Sequence, residues 1–232
     1  ELDKPVTDYL PDFKMADERY RDITVRMLLN HSSGLMGSTL SSAFLFGDGD
    51  DRTAVDGLLP ALAEQRLKAD PGAYSVYCND GFTLAQILVE QISGQDFGAY
   101  IHEHLLIPAA LEDTYVPGDE FDQSRLAKTY LGDSTEALPA ETVTAIGTGG
   151  IYATASDLAS FGGALTGGVL LKEDSRAAMT APEYKNGLWP AEGADSLSYG
   201  LGWDAVEAPA LMTYEGVTMA LAKGGDTQLY HA

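Results

Sequence analysis

The 232-residue sequence has little of three things: cysteine, positive charge and long apolar runs. Its one cysteine, Cys78, excludes an internal disulfide and a cysteine-rich metal site. Fourteen Lys and Arg residues stand against 35 Asp and Glu residues, for a net charge of −21. Nucleic acids and anionic membrane surfaces both attract cationic proteins, so neither is an expected partner. No run approaches the roughly 18 uninterrupted apolar residues of a membrane-spanning helix.

What is present is enough apolar sequence for a folded core. Hydrophobic residues make up 45% of the chain, and a chain of 24.7 kDa can bury about two-thirds of its unfolded surface. The sequence shows no internal repeat and no low-complexity linker. The excess of acidic residues is therefore interpreted as a source of solubility rather than as a site for a cationic partner.

Helix signals dominate the first 145 residues or so and return once later. Apolar residues at helical spacing, preceded by capping residues and followed by glycine or proline, predict five helices. They run from the N-cap Thr24 toward Gly34, through 58–67 around Pro60, through 82–92, from the cap Asp96 to Pro108, and from the capping-box sequence Thr154-Ala155-Ser156-Asp157 to Gly167.

From about Tyr199 the pattern becomes that of strands. Glycine and larger residues alternate in Tyr199-Gly200-Leu201-Gly202-Trp203, and runs of β-type residues follow at 217–222 and 227–231. Residues 1–145 are thus predicted to be mainly helical, and residues 146–232 to form a helix and antiparallel strands. Together they predict one α+β domain, and we expect it to be truncated because the chain stops at Ala232 in the middle of what resembles a strand.

Seven strings, in order along the whole chain, resemble the class C β-lactamase-like serine hydrolases. That family includes β-lactamases, penicillin-binding proteins, D-alanyl-D-alanine carboxypeptidases and related esterases. The strings are Leu2-Asp3-Lys4-Pro5-Val6, residues 23–35, Pro71-Gly72 with Tyr74, Tyr77-Cys78-Asn79-Asp80-Gly81-Phe82, Ser93-Gly94 through Asp113-Thr114, residues 149–158, and Tyr199-Gly200-Leu201-Gly202-Trp203. The resemblance implies a β-lactamase/transpeptidase-like α+β fold, here a helical region with an incomplete antiparallel sheet.

The resemblance also implies the site. Tyr-x-Asn and Lys-Gly-Gly would be its second and third motifs, with Tyr77, Asn79 and Lys223 as catalytic residues and Gly224, Gly225 and Asp226 as substrate-binding residues. Tyr77 would shuttle a proton, Asn79 would orient a substrate amide and Lys223 would attract a substrate carboxylate. The N–H of Asp226 would be an oxyanion donor. A free phenol has a pKa of about 10, so nearby cations such as Lys223 are expected to lower it or to assist proton transfer.

The sequence departs from the family pattern in two ways. No serine has a lysine three positions later, so the Ser-x-x-Lys motif that supplies the nucleophile is absent from these residues. We expect that motif before Glu1 and the closing strands beyond Ala232. Penicillin-recognising members usually carry Lys-Thr-Gly or Lys-Ser-Gly, whereas Gly224 has no hydroxyl. A preference for β-lactams or peptide carboxylates therefore stays open.

Two functions remain open. The first is a metal-free, cofactor-free serine hydrolase that acts on amides or esters through an acyl-enzyme and is inactive without its nucleophile. The second is a non-catalytic homologue that binds peptidoglycan-like or peptide ligands. A small-molecule or peptide substrate and self-association through exposed sheet edges are the expected interactions. Taken alone, Lys223 would be a solvated charge at a strand end, and His31 is interpreted as structural.

Overall fold

The computed structural model describes residues 1–37, 39, 44–46, 49–183, 199–206 and 221–225. The helices are α1 (Val25–Leu29), α2 (Thr53–Asp56), α3 (Leu58–Ala63), α4 (Asn79–Ser93), α5 (Phe97–Ile101), α6 (Ala155–Thr166) and α7 (Glu173–Thr180). The strands are β1 (Phe44–Leu45), β2 (Thr114–Tyr115), β3 (Thr142–Val143) and β4 (Tyr152–Ala153). A π-helical turn (His102–Leu106) continues α5, and the described ranges also hold three short 3₁₀ helices at Val6–Asp8, Glu18–Asp22 and Gln123–Arg125. The architecture is α+β.

The described strands pair antiparallel in two small ladders. In one, β1 lies beside β3 with Phe44 opposite Val143. In the other, β2 lies beside β4 with Thr114 opposite Ala153. Strands β1, β2 and β3 lie where helices joined by loops were predicted, because strands of two residues are too short to show an alternating pattern. Strand β4 lies in the part of the chain that was predicted to hold a helix and antiparallel strands.

The capping residues set the helix starts as predicted. The Thr24 hydroxyl accepts a hydrogen bond from the Met27 N–H at the start of α1, and the Asp96 carboxylate accepts from the first turn of α5. Helix α1 nevertheless ends at Leu29, before the predicted stop at Gly34. Each cap satisfies a backbone donor that has no partner within its helix.

Helix α6 starts at its predicted cap, but its capping box is only half formed. The Thr154 hydroxyl accepts from the Asp157 N–H at 3.1 Å. The Asp157 carboxylate instead accepts from the Asp113 N–H and the Thr114 hydroxyl, both at 2.8 Å. A side chain expected to close a local motif therefore ties α6 to the start of β2.

Other elements differ from the expectations. Pro60 lies in the first turn of α3, where a missing N–H costs nothing, and a separate helix α2 precedes it. Helix α7 was not predicted; it is polar and has no buried residue. The predicted strands at 217–222 and 227–231 lie outside the described residues except for Leu221 and Ala222, and Ala222 forms an antiparallel bridge with Ala205.

The main core lies between α1, α3, α4 and the N-terminal segment. Leu28, Leu62 and Leu84 are fully buried in it. Helices α1 and α4 approach closely at Gly81, where a Cβ atom would lie 3.2 Å from the Leu28 carbonyl oxygen. This contact holds the start of α4 against the end of α1, where the candidate site begins. None of the described helices is long and apolar enough to cross a membrane.

Candidate active site

His31, just after α1, holds the segment around Tyr77. Its backbone has φ of 60°, and its side chain is 3% exposed. The His31 carbonyl accepts from the Val76 N–H at 2.9 Å, and the His31 Nδ1 accepts from the Cys78 N–H at 3.1 Å. Both neighbours of Tyr77 are thus bonded to one residue, and the His31 ring lies 4.6 Å from the Tyr77 ring.

A second set of contacts fixes the start of α4 just after Tyr77. The Asp80 N–H donates to the Gly37 carbonyl at 3.0 Å, and the Cys78 thiol donates to the same carbonyl at 3.3 Å. The buried Asp80 carboxylate accepts from the Thr39 N–H at 2.8 Å. Because Asn79 is the first residue of α4, these bonds orient Tyr77 and Asn79 together.

The segment that starts at Tyr199 brings residues 222–224 close to the His31 turn and Tyr77. The Gly202 N–H donates to the Leu29 carbonyl at 2.9 Å, next to the His31 turn, and the Tyr199 ring packs 5.1 Å from the His31 ring. Three residues after Gly202, Ala205 pairs with Ala222. Lys223 therefore follows a strand position that is anchored to the end of α1.

Tyr77 and Lys223 lie together, although 146 residues separate them in sequence. The Lys223 Nζ lies 5.3 Å from the centroid of the Tyr77 ring, within the range of a cation–π contact. The Tyr77 side chain is half-exposed, and the Lys223 side chain is 36% exposed. A substrate can therefore reach both groups from solvent.

An acidic residue that was not predicted lies beside this pair. The Asp204 Oδ2 accepts from the Lys223 Nζ at 3.2 Å and from the Gly224 N–H at 2.9 Å. The Asp204 Oδ1 is buried and has no hydrogen-bond partner among the described residues. The Lys223 ammonium also donates to the Gly224 carbonyl at 2.7 Å. Lys223 is thus fixed by an ion pair as well as by its backbone.

The electrostatics at Tyr77 differ from the expectation that cations would lower its pKa. Burial raises the pKa of the Tyr77 phenol, and the charges of Asp204 and Cys78 raise it further. The negative charge of Asp204 disfavours a phenolate at Tyr77. The positive charge of Lys223 is already paired with the Asp204 carboxylate. The phenol therefore keeps its proton at neutral pH in this arrangement.

Burial has the opposite consequence for His31. Loss of water around the ring lowers the pKa of His31 to about 4; the carboxylate of Asp204 opposes this change, and the charges of Lys223 and Lys68 add to it. The ring is neutral at neutral pH, and since Nδ1 accepts a hydrogen bond, the proton resides on Nε2. That atom has no hydrogen-bond partner among the described residues.

The structure brings the predicted Tyr77, Lys223 and Gly224 to one place. Asn79 lies at the adjoining helix start, and Gly225 follows Gly224 in the chain. Asp226 lies outside the described residues. The catalytic and binding roles given to these residues stay predictions.

Sequence reasoning missed Asp204, and it interpreted His31 as structural without its hydrogen bonds to the Tyr77 segment. Asp204 follows the glycine–aromatic string directly, but only the pairing of Ala205 with Ala222 shows that it faces Lys223. For His31, the signal was a histidine three positions before Gly34 in a helix-ending turn. Nothing in that spacing indicates a bond to Cys78.

The family model described as Beta-lactamase matches residues 1–231. The chain belongs to this family. It is 32% identical over 142 residues to penicillin-binding protein 4 of Amycolatopsis lactamdurans, an alignment that covers 60% of this chain and 36% of that protein. It is 26% identical over 164 residues to the D-alanyl-D-alanine-carboxypeptidase/endopeptidase AmpH of Escherichia coli (strain K12), covering 68% of this chain and 40% of AmpH.

Comparison with a solved structure shows the fold. The chain superposes on the D-amino acid amidase from Ochrobactrum anthropi SV3, complexed with D-phenylalanine, with a TM-score of 0.72 and 21% identity. That alignment covers 97% of this chain and 63% of the amidase. The fold is therefore β-lactamase/transpeptidase-like. The chain spans between a third and a half of the length of the curated relatives it matches.

Proposed function

We propose that these residues form the Tyr-x-Asn and Lys-Gly-Gly side of a serine hydrolase site that cleaves amides or esters through an acyl-enzyme. The observation that carries the proposal is the position of the Lys223 ammonium, 5.3 Å from the centroid of the Tyr77 ring. Membership of the Beta-lactamase family supports it. The nucleophile would come from a Ser-x-x-Lys motif outside these 232 residues, and the chain by itself would not turn over substrate.

The protonated Tyr77 suits one step of acyl transfer. When the serine oxygen bonds to the substrate carbonyl carbon, its proton would pass to the lysine of the same motif. Collapse of the tetrahedral intermediate breaks the bond to the leaving nitrogen or oxygen. Tyr77 would give its proton to that atom and recover one from the motif lysine. The raised pKa of Tyr77 favours this donor role over that of a standing phenolate base.

Asn79 and the glycines complete the proposed roles. The Asn79 amide can donate to a substrate carbonyl and accept from a substrate N–H, so it would orient the scissile group. Gly224 and Gly225 would let an acyl group approach the strand backbone, because neither has a Cβ atom. Asp226 remains our proposed oxyanion donor.

Covalent labelling of the full-length product of the gene that encodes these residues tests the proposal. A fluorescent penicillin and a fluorophosphonate should each be tried, and at least one is expected to give an adduct. Absence of both adducts from a folded full-length protein would overturn the hydrolase and leave the binding homologue. The 232-residue chain alone is expected to give no adduct.

Tyr77→Phe in the full-length protein tests the proton-donor role. Loss of general acid–base catalysis is expected to slow acylation by about 10²–10⁴-fold. Tyr74→Phe is the matched control, because Tyr74 is a similarly exposed tyrosine three residues away, and it should keep the wild-type rate. Equal rates in Tyr77→Phe and wild type would contradict the role.

A further inference from the structure

The Asp204 carboxylate accepts hydrogen bonds from the same groups that would be expected to bind a substrate carboxylate. One oxygen, Oδ2, receives both the Lys223 ammonium at 3.2 Å and the Gly224 N–H at 2.9 Å. An ammonium and a backbone N–H are both common donors to anionic groups in proteins. Both donors on this strand are therefore already used by the protein's own carboxylate.

The backbone holds Asp204 in this position. The Asp204 N–H and the Ala205 N–H both donate to the Ala222 carbonyl, at 3.0 and 3.1 Å, and the Ala222 N–H donates to the Ala205 carbonyl at 2.8 Å. These bonds place Asp204 across from Lys223 and Gly224 in a fixed register. Because Asp204 has a short side chain and its backbone is hydrogen-bonded, its carboxylate has little freedom to move away from Lys223.

The surrounding charges do not restore a net attraction for anions. The Asp204 side chain is 24% exposed, so water screens its charge less than that of a surface carboxylate. Among the described residues, the phenol of Tyr77 beside Lys223 is protonated and the His31 ring is neutral, so neither adds positive charge. Lys68 is a further cation whose charge acts on His31. The sequence as a whole is strongly acidic, with a net charge of −21.

We infer that Asp204 determines substrate specificity: it occupies the Lys223 and Gly224 donors as an internal carboxylate, and the site therefore favours acyl donors that carry no carboxylate of their own. This inference rests on the proposed function and adds the substrate class to it. Uncharged amides and esters fit the site, whereas an anionic acyl donor must displace Asp204 from two hydrogen bonds.

A matched pair of ligands tests the inference in the wild-type chain. Benzylpenicillin carries a carboxylate, and its methyl ester has the same acyl part without the charge. Binding of each ligand is followed by NMR as a shift of the Lys223 Cε–Hε signal. That signal is assigned as the one that disappears in the Lys223→Met variant. The methyl ester is expected to bind at least as tightly as the acid. A clear preference of the wild-type chain for the acid would overturn the inference.

The variant Asp204→Asn should reverse that preference. Its amide oxygen can still accept the Gly224 N–H, but it no longer neutralises Lys223. Affinity for the acid is expected to rise about 10-fold, or about 1.4 kcal/mol, while affinity for the ester stays unchanged. An unchanged affinity for the acid in a folded Asp204→Asn chain would equally overturn the inference.

Two controls separate the local effect from the total charge. Asp174→Asn removes one negative charge from the exposed polar helix α7 and should leave both affinities at the wild-type value. The double variant Asp204→Asn/Lys223→Met should lose the gain for the acid. If Asp204→Asn does not fold, the comparison of acid and ester in wild type decides alone.

The binding measurement needs no nucleophile, so its failure is distinguishable from failure of the proposed function. An Asp204 effect on binding, together with no covalent labelling of the full-length protein, would leave a ligand-binding site without catalysis. Labelling without an Asp204 effect would leave the hydrolase and remove Asp204 as its specificity residue.

Discussion

The buried His31 ring makes the free energy of unfolding depend on pH in the acid range. Its pKa falls from 6.5 in the unfolded chain to about 4 in the fold, so the folded state resists protonation of this ring. The stability that the neutral ring provides is present above pH 6.5 and is lost as the pH falls from there through about 4. At about 1.36 kcal/mol per pKa unit, lowering the pH from about 7.5 to about 4.5 should cost about 2.5 kcal/mol from this residue.

His31→Asn isolates that contribution. Asparagine tolerates the left-handed backbone at φ of 60°, and its side-chain oxygen can accept the Cys78 N–H, but it does not titrate. Urea denaturation of both proteins at the two pH values gives four free energies of unfolding. The loss between the two pH values should be about 2.5 kcal/mol larger in wild type than in the variant.

The contributions of other titrating groups to the pH dependence of stability cancel when wild type is compared with His31→Asn. Burial raises the pKa of Asp80, so its protonation favours the fold in acid, and it does so in both proteins. Hydrogen bonds from Arg19 hold the pKa of Asp17 well below its usual range, which matters only at lower pH. Equal pH dependence of wild type and His31→Asn would refute a buried neutral His31.

Three further predictions concern single contacts, and a fourth concerns self-association. Asp204→Asn should lower the Tyr77 pKa, as read from the ¹³Cζ signal of labelled tyrosine, because it removes a neighbouring negative charge. Thr154→Ala should cost about 1 kcal/mol in denaturant melts, since it removes the α6 cap. Gly150→Ala should cost more than about 2 kcal/mol, because its Cβ would lie 2.1 Å from the Val143 carbonyl oxygen; Gly94→Ala, with positive φ but open space, should cost only about 1 kcal/mol. Light scattering of the 232-residue chain should show self-association at high concentration, and a clean monomer would count against exposed sheet edges.

The motif strings predicted the family and the fold class, because they contain residue types that the catalytic site and its turns require. Tyr77, Asn79 and Lys223 could be named from their strings, and the family assignment is confirmed. The N-caps at Thr24, Asp96 and Thr154 were equally readable, since a cap is a local interaction between residues two or three positions apart.

By itself, then, the sequence determined what depends on neighbours in the chain: the helix starts, the acidic character and the family strings. Only the tertiary structure decided which distant charges meet. Asp204 and Lys223 are 19 residues apart and pair beside the Ala205–Ala222 bridge. Burial, together with the charge of Asp204, raises the Tyr77 pKa rather than lowering it. Electrostatic effects depend on distance in space and on burial, and neither quantity can be read from spacing along the chain.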